Sequence, residues 1–420
     1  MTWKFLGSIG SATLLAASLT LATASGAAAQ DKSVSFGTWI WAQPGTSDWW
    51  HLAGDKFEAD NPGVKLDVRN LPVNDYMTQI VVELASGNPA DVVSTSVNLA
   101  ELKDSGQLVP LNDRVEQSGL RDRIEDSCWA ATTFDGQIMA VPIQGRTLAL
   151  LYDEDKLAAA GFDHPPASPE EFLAAARALT VKDESGKVTQ YGASMVHINE
   201  EPTYEMLMMW SIAFGGSLTD GTNPTVTDPG VVEALTFMKT LYDEELIPRG
   251  RGEDDQRALF AAGTTVMELD GPWQVPFVAK VNPDLVSSIK AAHLPWDGPA
   301  TGGPNLLLAL GNGPNQDLAW KFIEAVVSPE IQAQYSTYAD TVPCVKGAID
   351  ESALVAKPYL AAEVEQFRDN PVRNLPAGFE TVASEFESIV LKAVTNAIQG
   401  GGDPATELAK AQAELEATFG

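Results

Sequence analysis

"NPGVKLDVRNLPVNDYMTQIVVELASGNPADVV", residues 61–93, is the stretch on which the fold turns. Asn61-Pro62-Gly63 ends whatever helix precedes it. Val64, Leu66 and Val68 then alternate with polar residues, the period of a half-buried strand. From Tyr76 the apolar residues fall at helical spacing until Gly87 stops them. Val92-Val93 is a short apolar run of the kind a buried strand shows. The same order appears upstream. "SVSFGTWIW" (33–41) alternates as a first strand. "TSDWWHLAGDKFEADNPG" (46–63) reads as a helix capped by Thr46 or Ser47, with Trp50, Ala53 and Phe57 on one face. Strand, helix, strand, helix, strand needs crossovers, and crossovers make neighbouring strands parallel. The chain therefore opens as an α/β unit.

The α/β logic continues downstream. In "GQIMAVPIQGRTLALLYDEDKLAAAGFDHPPASPEEFLAAARALT" (136–180) apolar runs flank Pro142, Leu148–Tyr152 reads as a strand, and Gly161 ends a short helix. "SPEE" opens the next helix, with Ser168 as N-cap, Pro169 in the first turn and Glu171 completing a capping box. Asp228-Pro229, Asn315, Ser328-Pro329 and "DPATELAKAQAELEATF" open further helices. "FAAGTTVMELDGPW" (260–273) runs from a helix end into the strand Val266–Leu269 and stops at Asp270-Gly271-Pro272, delivering Trp273 at the strand end. Neither repeats nor a low-complexity linker interrupts the chain, as expected if two domains exchange the chain more than once.

A length of 420 residues predicts two compact domains, and 45% hydrophobic with 20% charged residues is ordinary globular composition. A net charge of −30 excludes a general nucleic-acid or anionic-membrane surface, which needs a basic footprint. Residues 1–29 read as a signal peptide: Lys4, the apolar "LGSIGSATLLAASLTLATA", then "GAAAQ" with an A-x-A cleavage pattern at Ala27–Ala29. The mature protein is expected to be exported, soluble and periplasmic. Cys128 and Cys344 permit one disulfide or two buried thiols, and sequence separation alone leaves both open. His51, His164, His197 and His293 lack metal-ligand spacing, so no metal or cofactor is expected. There is no P-loop and no G-x-S-x-G. Acidic pairs such as Glu200-Glu201, Asp254-Asp255 and Glu268 with Asp270 could be read as a glycosidase acid and base. Pairs of that kind arise by chance among 57 acidic residues.

Five motifs in order carry a resemblance: "FEADNPGVKLDV", "LASGNPADVV", "MAVPIQGRTLALLYDEDKLAAAGF" with "PPASPEEFLAAARAL", "FAAGTTVMELDGPW", and "LPWDGPATGGPNLLLALGN" with "LAWKFIEAVVSPEIQAQY". Together they resemble the extracellular solute-binding proteins of ABC importers, in the carbohydrate-binding branch that includes maltose-binding protein. The resemblance implies a two-lobed periplasmic-binding-protein fold with a three-segment hinge and a ligand cleft between the lobes. Lobe one would hold 30–142 plus 304–343, and lobe two 143–303 plus 344–420, with crossings near Pro142, Gly303 and Pro343. Cys344 would then lie beside one crossing and Cys128 shortly before another, which favours a bridge. It further implies a monomer that binds a carbohydrate, hands it to membrane ABC permease subunits, and performs no reaction on it.

A sugar offers apolar C–H faces that stack on rings, and hydroxyls that need paired polar groups. The candidate ligand residues follow from that chemistry. Trp41 ends the first strand and Gln43 follows it, at the carboxyl edge where ligands gather in parallel sheets. Ser96 and Asn98 hold the corresponding position after the third strand. The resemblance adds Trp273 as a stacking ring, Arg146 past the Pro142 crossing, and Tyr204 in "EPTYEMLMMW". It also adds Gly303 and Asn305 in "TGGPN", and Arg373 in "VRNLPAGFE", where Phe379 stands in place of a late tryptophan. Thr203 and Trp210 lie in the same aromatic segment, with Trp210 expected in the core. Arg146 and Arg373 also raise the alternative of a phosphorylated or acidic ligand.

Overall fold

The computed structural model describes residues 32–43, 46–96, 98–338, 341–349, 351–368, 372–373 and 375–420, without the side chains of 73, 74, 336, 372 and 373. The expected signal peptide lies outside the described residues. In chain order the strands that form the two main sheets are β1 (Lys32–Thr38), β2 (Val64–Asn70), β3 (Val92–Thr95), β4 (Val141–Thr147), β5 (Ala149–Asp153), β6 (Val181–Lys182), β7 (Val188–Ser194), β8 (Thr265–Asp270), β9 (Ile289–Ala292), β10 (Thr301–Leu310), β11 (Val342–Pro343) and β12 (Val372–Arg373).

The first sheet runs β11-β4-β10-β3-β1-β2, with β12 added on β10. β1 pairs in parallel with both β2 and β3, as the crossovers require. β10 runs antiparallel between β3 and β4. One face of this sheet is covered by the helix Ser47–Asp60 through Trp49, Trp50, Ala53 and Phe57, and by the helix Gln316–Val326. The other face takes Tyr76, Ile80 and Leu84 from the helix Val73–Ala85. The second sheet runs β9-β5-β8-β7-β6. Its larger core gathers Phe172, Trp210, Phe237 and Phe386, and Phe260 and Val278 fill the opposite face.

Local signals account for some helix starts, although Thr46 and Asn315 make no side-chain capping bond at theirs. Ser168 Oγ accepts from the Glu171 N–H, while the Glu171 carboxylate accepts from the Ala167 N–H at 2.9 Å, one residue earlier than a capping box places it. Asp228 and Asp403 cap the helices Pro229–Asp243 and Pro404–Phe419 in the same way.

The chain passes between the sheets at other points than the resemblance implies, the first and third later and the second earlier. β4 stays in the first sheet through Thr147, so the first passage is at Leu148 rather than Pro142. The second falls between β9 and β10, at residues 293–300, ahead of Gly303. The third is displaced furthest. Cys344, Val345, Leu360, Val364 and Phe367 all sit in the first core, and the second core resumes at Phe379. Cys128 and Cys344 are joined by a disulfide, Cα to Cα 6.1 Å, inside that first core. The three passages are tied together by the helix Ala361–Arg368. Thr147 Oγ1 donates to the Glu363 carbonyl, Gln366 Nε2 donates to the Leu148 carbonyl, and Gln366 Oε1 accepts from the Leu294 N–H.

Candidate functional site

β1 ends at Thr38, three residues short of the expected Trp41. Thr38 Oγ1 accepts from the Ile40 N–H, and the Ile40 carbonyl accepts from the Gln43 N–H. This tight turn leaves Trp39, the first residue beyond the strand, at the edge of the sheet. Opposite it, in the second lobe, β8 ends at Asp270. The Asp270 carboxylate accepts from the Gly271 N–H at 2.7 Å and holds Arg257 through two bonds, 2.6 and 2.9 Å. The Trp273 ring folds back over Gly271, where an added Cβ would meet it at 2.1 Å, so only glycine fits. The Arg257 guanidinium lies 5.6 Å from the same ring. Trp273 is thereby fixed from behind by a buried ion pair.

Between these two edges is a cavity of about 270 Å³. The first lobe contributes Trp39, Gln43, Gln144 and Asn305 to its wall, and the second lobe contributes Trp273 and Phe277. Thr46 and Thr341 add hydroxyls, and Lys280 stands on the second-lobe side. Asn305 occupies an irregularity in β10, where the pairing with β4 slips between Pro304 and Leu306. A bulge of that sort re-aims one side chain out of the ladder. Trp273 Nε1 and Asn305 Oδ1 are both buried without a hydrogen-bond partner in the protein. One is a donor, the other an acceptor, and both belong to residues of the cavity wall.

A second, smaller space of about 30 Å³ lies at the carboxyl edge of the second sheet, lined by Arg146, Ser194, Glu205, Glu253, Arg257 and Asp270 among others. It is a charged layer. Arg146 pairs with Glu205 at 2.8 Å, and Arg257 with Asp270 and Glu253. Burial, with the Asp270 charge beside it, pushes the Glu268 carboxyl well above its ordinary range. Glu268 also accepts from Ser194 and Gln274.

The structure separates the expected site residues into three groups. Gln43, Trp273 and Asn305 line the larger cavity. Arg146 is buried in the charged layer, its guanidinium already bonded to Glu205. The rest face elsewhere. The Trp41 ring packs on Gly54 and His51, the latter 4.9 Å away, while Trp39 takes the cavity wall. The Asn98 carboxamide accepts from Thr95 Oγ1 and the Ser96 N–H, so these residues satisfy one another. Tyr204 is fully buried in the second core, because its helix Glu201–Ala213 is apolar on nearly every side. Thr203 bonds the Ile198 carbonyl, the Trp210 ring lies tilted 4.4 Å from Phe237, and Phe379 packs on Phe386. Gly303 is a buried ladder partner of Arg146, and Arg373 pairs with Gly302 through its backbone, its side chain lying outside the described residues.

Reading the sequence did not find Trp39, Gln144 or Phe277. Trp39 was available as the first aromatic beyond a shorter strand, and Phe277 as the residue one turn after Trp273. Gln144 had no signal, since it sits inside a strand. Among the described residues no helix is long and apolar enough to cross a membrane, and no group of His, Cys, Asp and Glu is arranged to hold a metal.

Two α/β lobes built on separate sheets, joined by three passages and enclosing a cavity, define a two-lobed binding protein. Residues 53–362 match the bacterial extracellular solute-binding protein family, and the chain belongs to it. A binding protein of Brucella abortus (strain 2308) is 25% identical over 368 residues, covering 86% of this chain and 87% of the relative. The fold is shared with a solved solute-binding protein from Thermotoga lettingae bound to α-D-tagatose, with TM-score 0.80 and 21% identity, covering 93% of this chain and 99% of that one. It is shared too with maltose-bound MalE3 of T. maritima, with TM-score 0.79 and 20% identity over 91% and 99% of the two chains. A ribitol-bound relative from Agrobacterium radiobacter K84 gives TM-score 0.77 and 21% identity over 92% and 99%.

Proposed function

We propose that this protein is the substrate-binding component of an ABC importer, exported to the periplasm, that captures a sugar or sugar alcohol between its lobes. The observation that carries this reading is the cavity itself. Three aromatic side chains, Trp39, Trp273 and Phe277, approach from both lobes, and Gln43, Gln144 and Asn305 intersperse amides between them. Flat rings suit the C–H faces of a pyranose or the chain of an alditol, and amides both donate and accept toward hydroxyls. The unpartnered Trp273 Nε1 and Asn305 Oδ1 supply one donor and one acceptor for the same guest.

Binding would work by population shift. A ligand that touches Trp39 and Trp273 together interacts fully only when the lobes are closed, and its differential affinity for that state draws the equilibrium toward it. The passages at Leu148, 293–300 and beyond Phe367 act as the hinge in this scheme. The closed monomer is what the membrane permease would read, and no bond of the ligand is made or broken. Of the two arginines that prompt the alternative of a phosphorylated or acidic ligand, Arg146 is already neutralised by Glu205, which argues against it.

Thermal denaturation with a panel of mono- and disaccharides and alditols tests the reading. A ligand that binds only the folded state raises the melting temperature in proportion to the logarithm of its concentration. Absence of any shift across the panel, with none for phosphorylated sugars either, would count against it.

A further inference from the structure

Arg257 lies outside the wall of the aromatic cavity, yet its bonds bracket a residue on which that cavity depends. It projects from the helix Glu253–Ala261 toward the carboxyl end of β8. Its guanidinium donates to both oxygens of Asp270, through Nε at 2.6 Å and Nη2 at 2.9 Å. Asp270 stands shortly before Trp273, and the same carboxylate accepts from the Gly271 N–H and so sets the turn. The Arg257 backbone carbonyl accepts at 2.9 Å from Nε2 of Gln274, directly after Trp273. Gln274 is buried, and its amide also donates to Glu268 of β8. Trp273 is thus held on both sides in the chain, with the guanidinium itself 5.6 Å from its ring.

This is not ordinary surface pairing. The Arg257 side chain is 22% exposed and that of Asp270 7%. Two charge-assisted bonds between groups this buried fix the plane of a guanidinium as well as its charge. The space on the far side of Arg257, shared with Arg146 and Glu205, is about 30 Å³, close to the share of one water, so no sugar reaches Arg257 from there. Its influence on a guest has to pass through the ring. Trp273 is half-buried, and its Nε1 bonds nothing in the protein, so no hydrogen bond of its own orients the indole. Apart from apolar packing against the second core, what sets the tilt of the indole is the guanidinium plane.

We infer that Arg257 is a positioning residue for ligand capture: locked by Asp270 and Glu253, it holds the Trp273 ring in the plane that meets the guest before the guest arrives. The inference rests on the reading of the aromatic cavity as the ligand site. A ring ordered in advance spares the ligand the loss of freedom that ordering it would entail, so removing the lock shows as weaker binding. Lysine at this position keeps the charge and loses both the fork and the flat face. Removing one member of the pair outright leaves the other charge buried and uncompensated. The informative changes are therefore Arg257→Lys, and Arg257→Leu combined with Asp270→Asn, in which the asparagine oxygen can still accept from Gly271.

Fluorine NMR of protein labelled with 5-fluorotryptophan, followed by titration calorimetry, tests the ring and the ligand separately. Each variant is first checked for an intact melting transition. The Trp273 signal is assigned by its loss in Trp273→Phe. In the ligand-free protein it should be a single line that broadens or splits in Arg257→Lys and in the double variant, while the signals of the fully buried Trp49 and Trp210 stay in place. Calorimetry with glucose, maltose and sorbitol should then show affinity reduced by about 3- to 10-fold in both variants. In a Trp273→Ala background the same changes should lower affinity by less than about 2-fold, because the ring they act through is gone. An unaltered Trp273 line overturns the inference and leaves the carbohydrate reading standing, as does an equal loss of affinity with and without the ring. Broadening of every tryptophan signal alike would mark a structural role only and overturn it too. If none of the three sugars binds the wild-type protein, the carbohydrate reading suffers alone, because the Trp273 line still decides whether Arg257 holds the ring.

Discussion

Removing the Cys128–Cys344 disulfide should destabilise the first lobe by an amount its position allows us to bound. The bridged residues are 216 apart in sequence, and chain-entropy arguments assign closure of a loop of that length about 5 kcal/mol at 25 °C. The topology reduces that figure. Both sulfurs lie in the first core, and the enclosed chain contains β5 to β9, the whole of the second sheet. If the second lobe stays folded while the first opens, about 70 residues of the loop remain free, and the contribution falls only to about 4 kcal/mol. For a unit of this size each kcal/mol moves the melting temperature by about 2–4 °C, so the transition of the first lobe should drop by roughly 8–20 °C. Differential scanning calorimetry of the oxidised protein, the reduced protein and the Cys128→Ala/Cys344→Ala pair measures it. Alanine is chosen because both positions are fully buried and a serine hydroxyl would add its own penalty. Thiol titration confirms that reduction has exposed two sulfhydryls. A reduced protein melting within about 2 °C of the oxidised one would refute the reasoning, which expects at least about four times that shift.

Three further outcomes are expected. Trp273→Ala should weaken ligand binding by about 10-fold or more, the scale of a lost stacking partner and its hydrogen bond, while lowering the melting temperature of the free protein only by a few degrees, since the ring is half-buried against the second core; titration calorimetry and a thermal scan separate the two effects. Tyr204→Phe should be neutral or stabilising by up to about 1 kcal/mol, because the lost hydroxyl is buried without a partner; a clear loss in denaturant titration would mean that it has one. Stability should fall as pH rises from about 5 to 8: Glu201, Glu387 and Glu363 hold their protons more tightly folded than at the ordinary value of 4.5, so the native state binds more protons across that window, and Glu387→Gln should flatten the profile of melting temperature against pH.

The sequence made the architecture legible because its turn signals and periodicities are local. Asn61-Pro62-Gly63, the Ser168 cap and the 61–93 alternation each depend on neighbours a few residues away, and each produced the element expected. The site was less legible because it depends on where strands end. Cutting β1 at Thr38 instead of Trp41 exchanges one tryptophan for another at the cavity wall, a difference of two residues that no propensity resolves. Tyr204 and Arg146 are hard to read for a different reason. Polar residues in an apolar helix or near a passage are ambiguous until their partners, Glu205 for Arg146 and none for Tyr204, are known in space. The segment 344–367 was assigned to the wrong side because the resemblance ends the first lobe at Pro343, whereas Cys344, Leu360 and Phe367 complete its core.

Gln366 gives the joint between the lobes a particular mechanical character. With one end of its amide on Leu148 and the other on Leu294, it couples two connecting segments that are otherwise remote in sequence, and its own helix leads into the third. Bending at any one of them tugs on the rest. If the lobes turn on this joint, the two links would make them move about a single shared axle instead of flexing independently at three points, and a substitution such as Gln366→Leu, which cuts both links while keeping the bulk, would turn that axle into three loose tethers.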